Sequence, residues 1–507
     1  GKIDTYYFAP NKTDYVPSLF REAFPDVEVE THFPLVEEPP MHAMWQSTRF
    51  KYHKGVCYPE VLSEFYKTNI HKVMKDFMPI NPCVEISMED AIFGNGRIGG
   101  VDMTTSTGPY WRKRGITDRK ELFDPETKWI LPEFQERVQK YYDDAGNGHW
   151  EEFVCVLALK DEPLPFKKDI KRVFYIYDVD LLVFMRMVLG DMVQNQIENH
   201  NVSGCAIGIN PHGIDWTLLV QKMLPYYKYL LSDYSKLDVT LQEFMFTFAS
   251  WYVIDRFQAT GKAATRIESI FTRASSPLLI AGNNAFRAIA LNTSGWLWTL
   301  GVNDFSCHHS HNMCINMILC DDLSQFFKYS DQYKLVSYGD DMWKGFTEKL
   351  ANRIKPSELS RLMAKYYGLT LTGIDKTDAG HYVKHIEDCS FIGRTFKLKG
   401  SLYLAPLQDS SFNKMIHWIR KNKKISAMEI YQSILNTMCH ESIPKGKYAY
   451  NDFLKRMHPL LIEFDLHPLY TTYAQAWARY KDNYLNSPRS EIAQWLRFNK
   501  ACAAFLD

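Results

Sequence analysis

Two consecutive carboxylates follow a strand-like run in the second half of the chain. Residues 333–342 read YKLVSYGDDM, so that a short apolar stretch leads into Gly339, Asp340 and Asp341. The alternation before the glycine favours a β-strand, and Gly and Asp are turn formers, so we predict a β-hairpin with both carboxylates at its tip. Adjacent carboxylates repel each other, and a divalent cation commonly makes such a pair tolerable in a cleft. The alternative interpretation is an ordinary solvated turn, and other segments must decide between the two.

A second acidic segment lies upstream. Residues 230–232 predict the end of a buried strand, and the chain continues as DYSKLD, which places Asp233 at the strand end and Asp238 near a helix start. Thr240 and Glu243 have the spacing of a capping box, so an apolar helix is expected to follow. Taken alone, the two aspartates are typical of a turn and of a helix start, and a chemical role depends on what folds beside them.

A long helix is expected between these acidic segments. Residues 293–295 (TSG) are predicted to open it, and it runs to about residue 319. Thr299 and Asn303 are four residues apart and therefore share one face of that helix. The preceding residues 259–290 are polar and are expected to be loop-rich.

Composition limits the possible classes of function. Lys+Arg and Asp+Glu both number 59, so the net charge is zero, and any basic surface has to be local, at residues 112–120, 167–172 or 420–424. No run of about 18 uncharged apolar residues occurs, which predicts no transmembrane segment, and the first residues do not have the shape of a signal peptide. The cysteines contain no Cys-x-x-Cys pair, as expected of free thiols in a reducing compartment. Four residues of metal-ligand type lie close together on one predicted helix but point in different directions around it, which disfavours a zinc site: Cys307, His308, His309 and His311.

The acidic and helical motifs occur in a specific order. They read strand-Asp233-x4-Asp238, then Ser294-Gly295-x3-Thr299-x3-Asn303, then Tyr338-Gly339-Asp340-Asp341. In this order the chain resembles the viral RNA-dependent RNA polymerases, specifically those of picornaviruses and their picorna-like relatives. The resemblance spans most of residues 100–420 and includes TTSTGPY, LKDE, IGINPHGIDW, YGLTLTGIDK, FIGRTF and APLQDSSFNKMIHWI.

The resemblance implies an α+β fold shaped as a right hand. Fingers are expected at residues 1–190 with an insertion at 266–290, and a palm at 191–265 and 291–396. The palm is expected to be an antiparallel sheet backed by helices. A mostly helical thumb is expected at 397–507.

The resemblance to this family also implies catalytic roles for the acidic residues and for one lysine. Nucleotidyl transfer needs an attacking 3′ oxygen and a departing pyrophosphate in line, and two metal ions about 4 Å apart stabilise both. Asp233 and Asp340 are expected to hold Mg²⁺, for which Mn²⁺ can substitute, with Asp341 as a supporting ligand. Lys376, in GLTLTGIDK, is expected to be the general acid that protonates the leaving pyrophosphate.

Further residues are expected to bind nucleotide and RNA. Asp238, Ser294 and Asn303 suit a polar pocket that reads the ribose 2′-hydroxyl, and Thr299 is expected to bind nucleotide as well. Lys160, Lys168 and Arg172 resemble a basic loop over the triphosphate. Ser106 is expected near the template and Arg394 on the primer backbone. Two motifs depart from the family: Lys-Asp-Glu-Leu-Arg reads Lys-Asp-Glu-Pro-Leu here, and Phe-Leu-Lys-Arg reads Phe-Ile-Gly-Arg.

The expected function is template-directed synthesis that copies a positive-strand RNA genome. Resemblance implies priming by a uridylylated genome-linked protein, cooperation with other replication proteins, and a place in the host cytoplasm at membrane-associated replication complexes. Two alternatives stay open. A reverse transcriptase would carry a bulky side chain at position 238, where Asp238 stands, and a non-catalytic palm-fold RNA-binding protein would lose a metal carboxylate.

Overall fold

The computed structural model describes residues 14–32, 55–77, 82–149, 151–166, 172–282, 284–373, 379–422 and 424–485. The strands in these ranges are β1 (Tyr15–Pro17), β2 (Thr31–His32), β3 (Val154–Leu159), β4 (Leu164–Pro165), β5 (Val173–Tyr177), β6 (Lys228–Leu231), β7 (Asp233–Tyr234), β8 (Leu278–Ala281), β9 (Asn284–Arg287), β10 (Tyr333–Tyr338), β11 (Asp341–Phe346), β12 (Leu371–Thr372), β13 (His381–Val383), β14 (Ser390–Phe391), β15 (Arg394–Thr395), β16 (Lys397–Lys399), β17 (Leu402–Leu404) and β18 (Trp418–Arg420).

The α-helices are α1 (Glu60–Thr68), α2 (Ile70–Val73), α3 (Met88–Phe93), α4 (Pro109–Lys113), α5 (Pro132–Gly146), α6 (Val179–Glu198), α7 (Asp215–Met223), α8 (Leu237–Thr240), α9 (Glu243–Phe257), α10 (Gly261–Ser275), α11 (Thr299–Leu319), α12 (Glu348–Arg353), α13 (Pro356–Tyr367), α14 (Asp409–His417), α15 (Ala427–Ser442), α16 (Lys447–Glu463) and α17 (Tyr473–Tyr480). Among the helices of the described ranges, none combines the length and apolar character that a membrane crossing requires.

The central sheet has the strand order β10, β11, β6, β13, and all its neighbouring strands are antiparallel. The pairing of β11 with β6 runs only from Phe346↔Lys228 to Lys344↔Leu230. Beyond that point the chain after β6 forms a small ribbon in which β7 pairs with β12. The long helix α11 is buried on almost every side and packs against β10, α9 and α13. Helices and antiparallel strands together confirm the predicted α+β class.

A second sheet has the order β5, β3, β8, β9, and only its β3–β8 pair is parallel. The expectation that residues 259–290 are loop-rich is wrong, because α10 occupies the first half of this segment and β8 and β9 the second. One face of α10 is apolar and buried through Ile267, Ile270 and Ala274, which are spaced as a helix requires. The polar residues on its other face obscured that pattern in the sequence.

Two predicted helix starts are also wrong. The helix expected from residues 293–295 begins at Thr299, because the preceding loop lies against β5: a Cβ on Gly295 would stand 2.1 Å from the Tyr175 carbonyl oxygen. The capping box does not form. The hydroxyl of Thr240 donates to the Lys236 carbonyl at 3.0 Å, and no side chain caps the start of α9.

The first described residues belong to the C-terminal core. Strand β1 pairs antiparallel with β18. Phe20 is fully buried and its ring meets that of Tyr431 edge-on at 5.2 Å, while Phe24 stacks on Phe453 at 6.1 Å. This packing joins residues 14–32 to α15 and α16. The divisions proposed at residues 190, 265, 290 and 396 stay predictions.

Candidate active site

The predicted hairpin is confirmed, with its two carboxylates at the tip. Tyr338 of β10 lies opposite Asp341 of β11, which leaves Gly339 and Asp340 as the two-residue turn. Gly339 has φ +65°, the left-handed backbone that such hairpin turns demand and that glycine adopts without strain. Asp340 and Asp341 are both exposed. The turn therefore presents two carboxylates to whatever occupies the space in front of it.

A buried aspartate of α11 holds this turn from behind. The backbone N–H of Gly339 donates to Asp304 Oδ1 at 2.7 Å, and Asp304 is fully buried. Its Oδ2 accepts from Cys205 Sγ at 3.0 Å and from Gln196 Nε2 at 3.3 Å. Burial raises the pKa of Asp304 to about 7, hydrogen bonds oppose that rise, and the charge of Asp340 adds to it. Sequence reasoning missed Asp304, although an acid beside Asn303 in a buried helix is a signal for it.

Asp233 reaches the same region from β7. It is half-buried, and its Oδ1 accepts a hydrogen bond from the Tyr234 backbone N–H at 2.8 Å. Strand β7 contacts β11, so the strand ends that carry Asp233 and Asp341 are neighbours. Within the described ranges, no group of three or more His, Cys, Asp or Glu side chains is arranged to hold a metal ion. Mg²⁺ commonly keeps several waters and takes one or two carboxylates besides substrate phosphates, so these carboxylates from two strands fit it.

A cavity of about 930 Å³ opens in front of the turn. Its lining includes many of the residues singled out in the sequence: Lys160, Arg172, Asp238, Ser294, Thr299, Asn303 and Asp340. These residues come from separate elements that only the fold brings together. Asp14, Tyr15 and Arg420 also line it, from β18 and the residues in and beside β1. Arg420 belongs to the basic segment 420–424 noted in the sequence, whereas Asp14 and Tyr15 were not singled out.

Buried side chains support the cavity, and Asn292, Asn303 and Asp304 are together called the floor. Asn292 and Asn303 line the cavity, whereas Asp304, the next residue of α11, is fully buried behind its lining. Asn292 Nδ2 donates to Asn303 Oδ1 at 2.7 Å and to the Thr299 carbonyl at 3.0 Å. Its Oδ1 accepts from Trp296 Nε1 at 2.8 Å, and its backbone N–H donates to the Asp238 carbonyl at 2.9 Å. Asn292 therefore ties together the segments that carry Asp238 and Asn303. Nothing in its sequence position signalled this role.

Another part of the cavity lining is a basic wall, made of Lys160, Glu162 and Arg172. Arg172 binds Glu162 through two hydrogen bonds, and Lys160 Nζ lies 3.4 Å from the same carboxylate. The side chains of Lys160 and Arg172 are 49% and 62% exposed, whereas Glu162 is 15% exposed. Hydrogen bonds to Glu162, followed by the charges of Asp238 and Asp340, raise the pKa of Arg172. The wall is thus a pair of cations that share one carboxylate.

Other predicted site residues lie elsewhere. Ser106 precedes α4, and its hydroxyl accepts from the Gly108 N–H at 3.1 Å. Arg394 is 11% exposed and forms a two-pronged pair with Glu441 at 2.8 and 2.9 Å, a carboxylate that His212 also contacts at 3.1 Å. Neither Ser106 nor Arg394 lines the cavity. Lys168 and Lys376 lie outside the described residues, so their roles stay predictions.

Comparison with known proteins gives a consistent result. The sequence pattern of the family described as viral RNA-dependent RNA polymerase matches residues 52–459. The chain is 23% identical over 393 residues to the RNA1 polyprotein of Broad bean wilt virus 2, an alignment that covers 74% of the chain and 21% of the polyprotein. It is 26% identical over 454 residues to the genome polyprotein of Human rhinovirus A serotype 89, covering 88% of the chain and 19% of the polyprotein. The chain spans about a fifth of the length of these relatives.

A solved structure shares the fold. The Sicinivirus 3Dpol RNA-dependent RNA polymerase superposes with a TM-score of 0.77, over 94% of this chain and 97% of its own, at 17% sequence identity. The right-hand α+β fold expected from the sequence is thereby confirmed, as is the resemblance to picornavirus-like proteins.

Proposed function

Because the chain belongs to the viral RNA-dependent RNA polymerases, we propose that it copies an RNA template from ribonucleoside triphosphates in the cavity before the Gly339–Asp340 turn. One observation carries this proposal. A single cavity joins the turn carboxylate Asp340, the polar side chains of Asp238 and Asn303, and the two cations of the basic wall. Carboxylates, a polar pocket and cations are what the metal, sugar and phosphate parts of one nucleotide require.

Asp233 and Asp340 hold Mg²⁺ in this proposal, and Asp341 supports them. When bound, the metal ions lower the pKa of the attacking 3′-hydroxyl and stabilise the charge on the departing pyrophosphate. The chain's own part is to fix where the carboxylates stand, which Asp304 does for the turn through the Gly339 N–H.

Asp238 and Asn303 select ribonucleotides. Asn303 Oδ1 already accepts from Asn292, which leaves its amide nitrogen to donate to a sugar hydroxyl, and the Asp238 carboxylate can accept from the same group. Ser294 stands beside them in the lining. A nucleotide without the 2′-hydroxyl would not make these hydrogen bonds, which disfavours the reverse transcriptase alternative.

Lys160 and Arg172 bind the triphosphate. Their present partner, Glu162, carries one carboxylate, whereas a triphosphate offers more charge and more acceptor oxygens, so it can displace Glu162 from the two cations. Lys168, in the same segment of the chain, and Lys376, the expected proton donor to pyrophosphate, complete the proposed set.

Priming by a uridylylated genome-linked protein, and work with other replication proteins at membrane-associated complexes in the host cytoplasm, are part of the same proposal. The polyprotein nature of the relatives supports a viral context. The cysteines of the described ranges are free thiols, in keeping with a reducing compartment.

Primer extension tests the proposal. A primed RNA template is incubated with Mg²⁺ and the four ribonucleotides, with each one omitted in turn, and then with the matching 2′-deoxynucleotides. We expect products that stop where the omitted nucleotide is templated, and ribonucleotide selectivity that falls at least about tenfold in Asp238→Ala. Asp331→Asn, an exposed aspartate before β10, is the matched control. Equal use of deoxynucleotides would indicate a reverse transcriptase, and RNA binding without incorporation a non-catalytic protein.

A further inference from the structure

A lysine lies buried behind the carboxylates. Lys344, on β11 three residues after Asp341, has no exposed surface. Lysine is almost never fully buried unless its ammonium has partners. Its position is therefore unusual for a residue that only fills space, and its hydrogen bonds show what it connects.

Lys344 bridges the two strand ends that carry the metal carboxylates. Backbone pairing between β11 and β6 stops at Lys344↔Leu230. Past that point, Lys344 Nζ donates to Ser232 Oγ at 2.6 Å and to the Ser232 carbonyl at 3.3 Å. Ser232 directly precedes Asp233. The Lys344 side chain thus links β11 to the segment after β6 at the point where the backbone hydrogen bonds between β11 and β6 end.

The ammonium also lies in the field of the same carboxylates. Burial lowers the pKa of Lys344 to about 8, while the thiol of Cys307 and the charges of Asp233 and Asp341 oppose that fall. A positive charge enclosed by protein interacts with nearby carboxylates more strongly than a solvated one does. It offsets part of their mutual repulsion when no metal ion is present.

We propose that Lys344 is a positioning residue that sets the spacing of the Asp233 and Asp341 strand ends and screens their carboxylates in the metal-free protein. This inference rests on the proposed metal role of these aspartates. It has two separable parts, a tether to Ser232 and a charge. Removing the charge should make the site depend more on Mg²⁺ and bind it more tightly, because the uncompensated carboxylates attract a cation more strongly.

Thermal unfolding at increasing Mg²⁺, without RNA or nucleotide, tests the charge. In Lys344→Met we expect the half-saturating Mg²⁺ concentration to fall about tenfold and the Mg²⁺-induced rise in Tm to exceed that of the parent. Lys344→Arg keeps the charge and should respond as the parent does. If Lys344→Met does not fold, Lys344→Gln takes its place. Identical Mg²⁺ responses in the parent and the neutral variant would overturn the inference.

Ser232→Ala tests the tether. It removes the hydroxyl acceptor and keeps the charge, so we expect an unchanged Mg²⁺ response, a lower kcat and an unchanged KM for nucleotide. A fall in both kcat and nucleotide affinity would indicate general loss of structure instead. Comparison of the parent with Asp340→Asn separates this inference from the proposed function. If the Tm of both responds equally to Mg²⁺, the metal assignment fails. If the two responses differ, the metal assignment stands and only the role of Lys344 is in question.

Discussion

The floor and the basic wall belong to one cavity but are stabilised differently. Asn292 and Asn303 are buried and hydrogen-bonded to each other, and Asp304 is buried and accepts from the Gly339 N–H. Lys160 and Arg172, in contrast, are about half exposed and share Glu162. A buried polar group left without its partner costs about 1–3 kcal/mol, whereas an exposed ion pair contributes about 0–1 kcal/mol. The floor is therefore expected to be rigid, whereas the cations of the wall can exchange Glu162 for another anion at little cost in free energy.

The largest expected effect comes from the carboxylate that the floor supports. Asp340→Asn should reduce elongation by at least about a thousandfold, since it removes a metal ligand worth several kcal/mol in the transition state. Binding of RNA should be almost unchanged, because phosphate contacts by basic residues dominate that affinity. Single-turnover incorporation and RNA binding measured on the same preparation check this. Synthesis at a tenth of the parental rate would exclude the metal role.

Substitutions of Asp304 test whether the floor supports catalysis by fixing the position of the Gly339–Asp340 turn. Asp304→Leu leaves the Gly339 N–H and the Cys205 thiol without this acceptor, and a shift of the turn by about 1 Å can cost about a hundredfold in rate. We expect kcat to fall and KM for nucleotide to change little. Asp304→Asn keeps an oxygen acceptor and should retain much of the rate. Equal losses in both variants would mean that charge, and not the hydrogen bond to the turn, is what counts.

Substitutions in the basic wall should change KM for nucleotide more than kcat, in contrast to substitutions in the floor. Glu162→Gln weakens the competitor for Lys160 and Arg172, so KM for nucleotide should fall by about two- to fivefold, the range of an exposed ion pair. Arg172→Gln should raise KM. Steady-state kinetics at two salt concentrations checks both, because the effect should shrink as salt screens the exposed charges. A KM that rises in Glu162→Gln would make Glu162 a ligand of the substrate instead.

The smallest effect on catalysis is expected at the Arg394–Glu441 pair, which is largely buried but lies outside the cavity. Burial alone would raise the pKa of Glu441, but hydrogen bonds from His212 and Arg394 more than offset this and lower it to about 2. A lowered carboxylate pKa stabilises the fold above the unfolded value near 4.5, and that contribution is lost as pH falls toward 2. Glu441→Gln should cost about 3 kcal/mol in urea unfolding at pH 7 and leave KM unchanged. An unaltered unfolding free energy would show that the pair adds no stability.

The tip of the hairpin could be predicted from neighbouring residues in the sequence. The buried residues that support it could not, because their contacts depend on long-range packing. Glycine followed by aspartate after an alternating run specifies a turn by itself, so Gly339 and Asp340 were placed correctly from sequence. Asp304 and Lys344 are buried charged residues, and their partners are contributed by segments distant in the chain. Helix α10 was missed for a related reason, since only burial distinguishes its apolar face from a polar loop.

The packing of residues 14–32 against the C-terminal helices determines when this segment can fold during translation. The Leu19 N–H donates to the Tyr431 hydroxyl at 3.1 Å across 412 residues, and Phe24 packs on Phe453. As the ribosome releases the chain from its amino end, residues 14–32 emerge long before the helices they pack against. Phe20 and Phe24 must therefore stay exposed until α15 and α16 have left the ribosome. We expect this early segment to be the part of the nascent chain that chaperones bind longest, and the last to become resistant to protease.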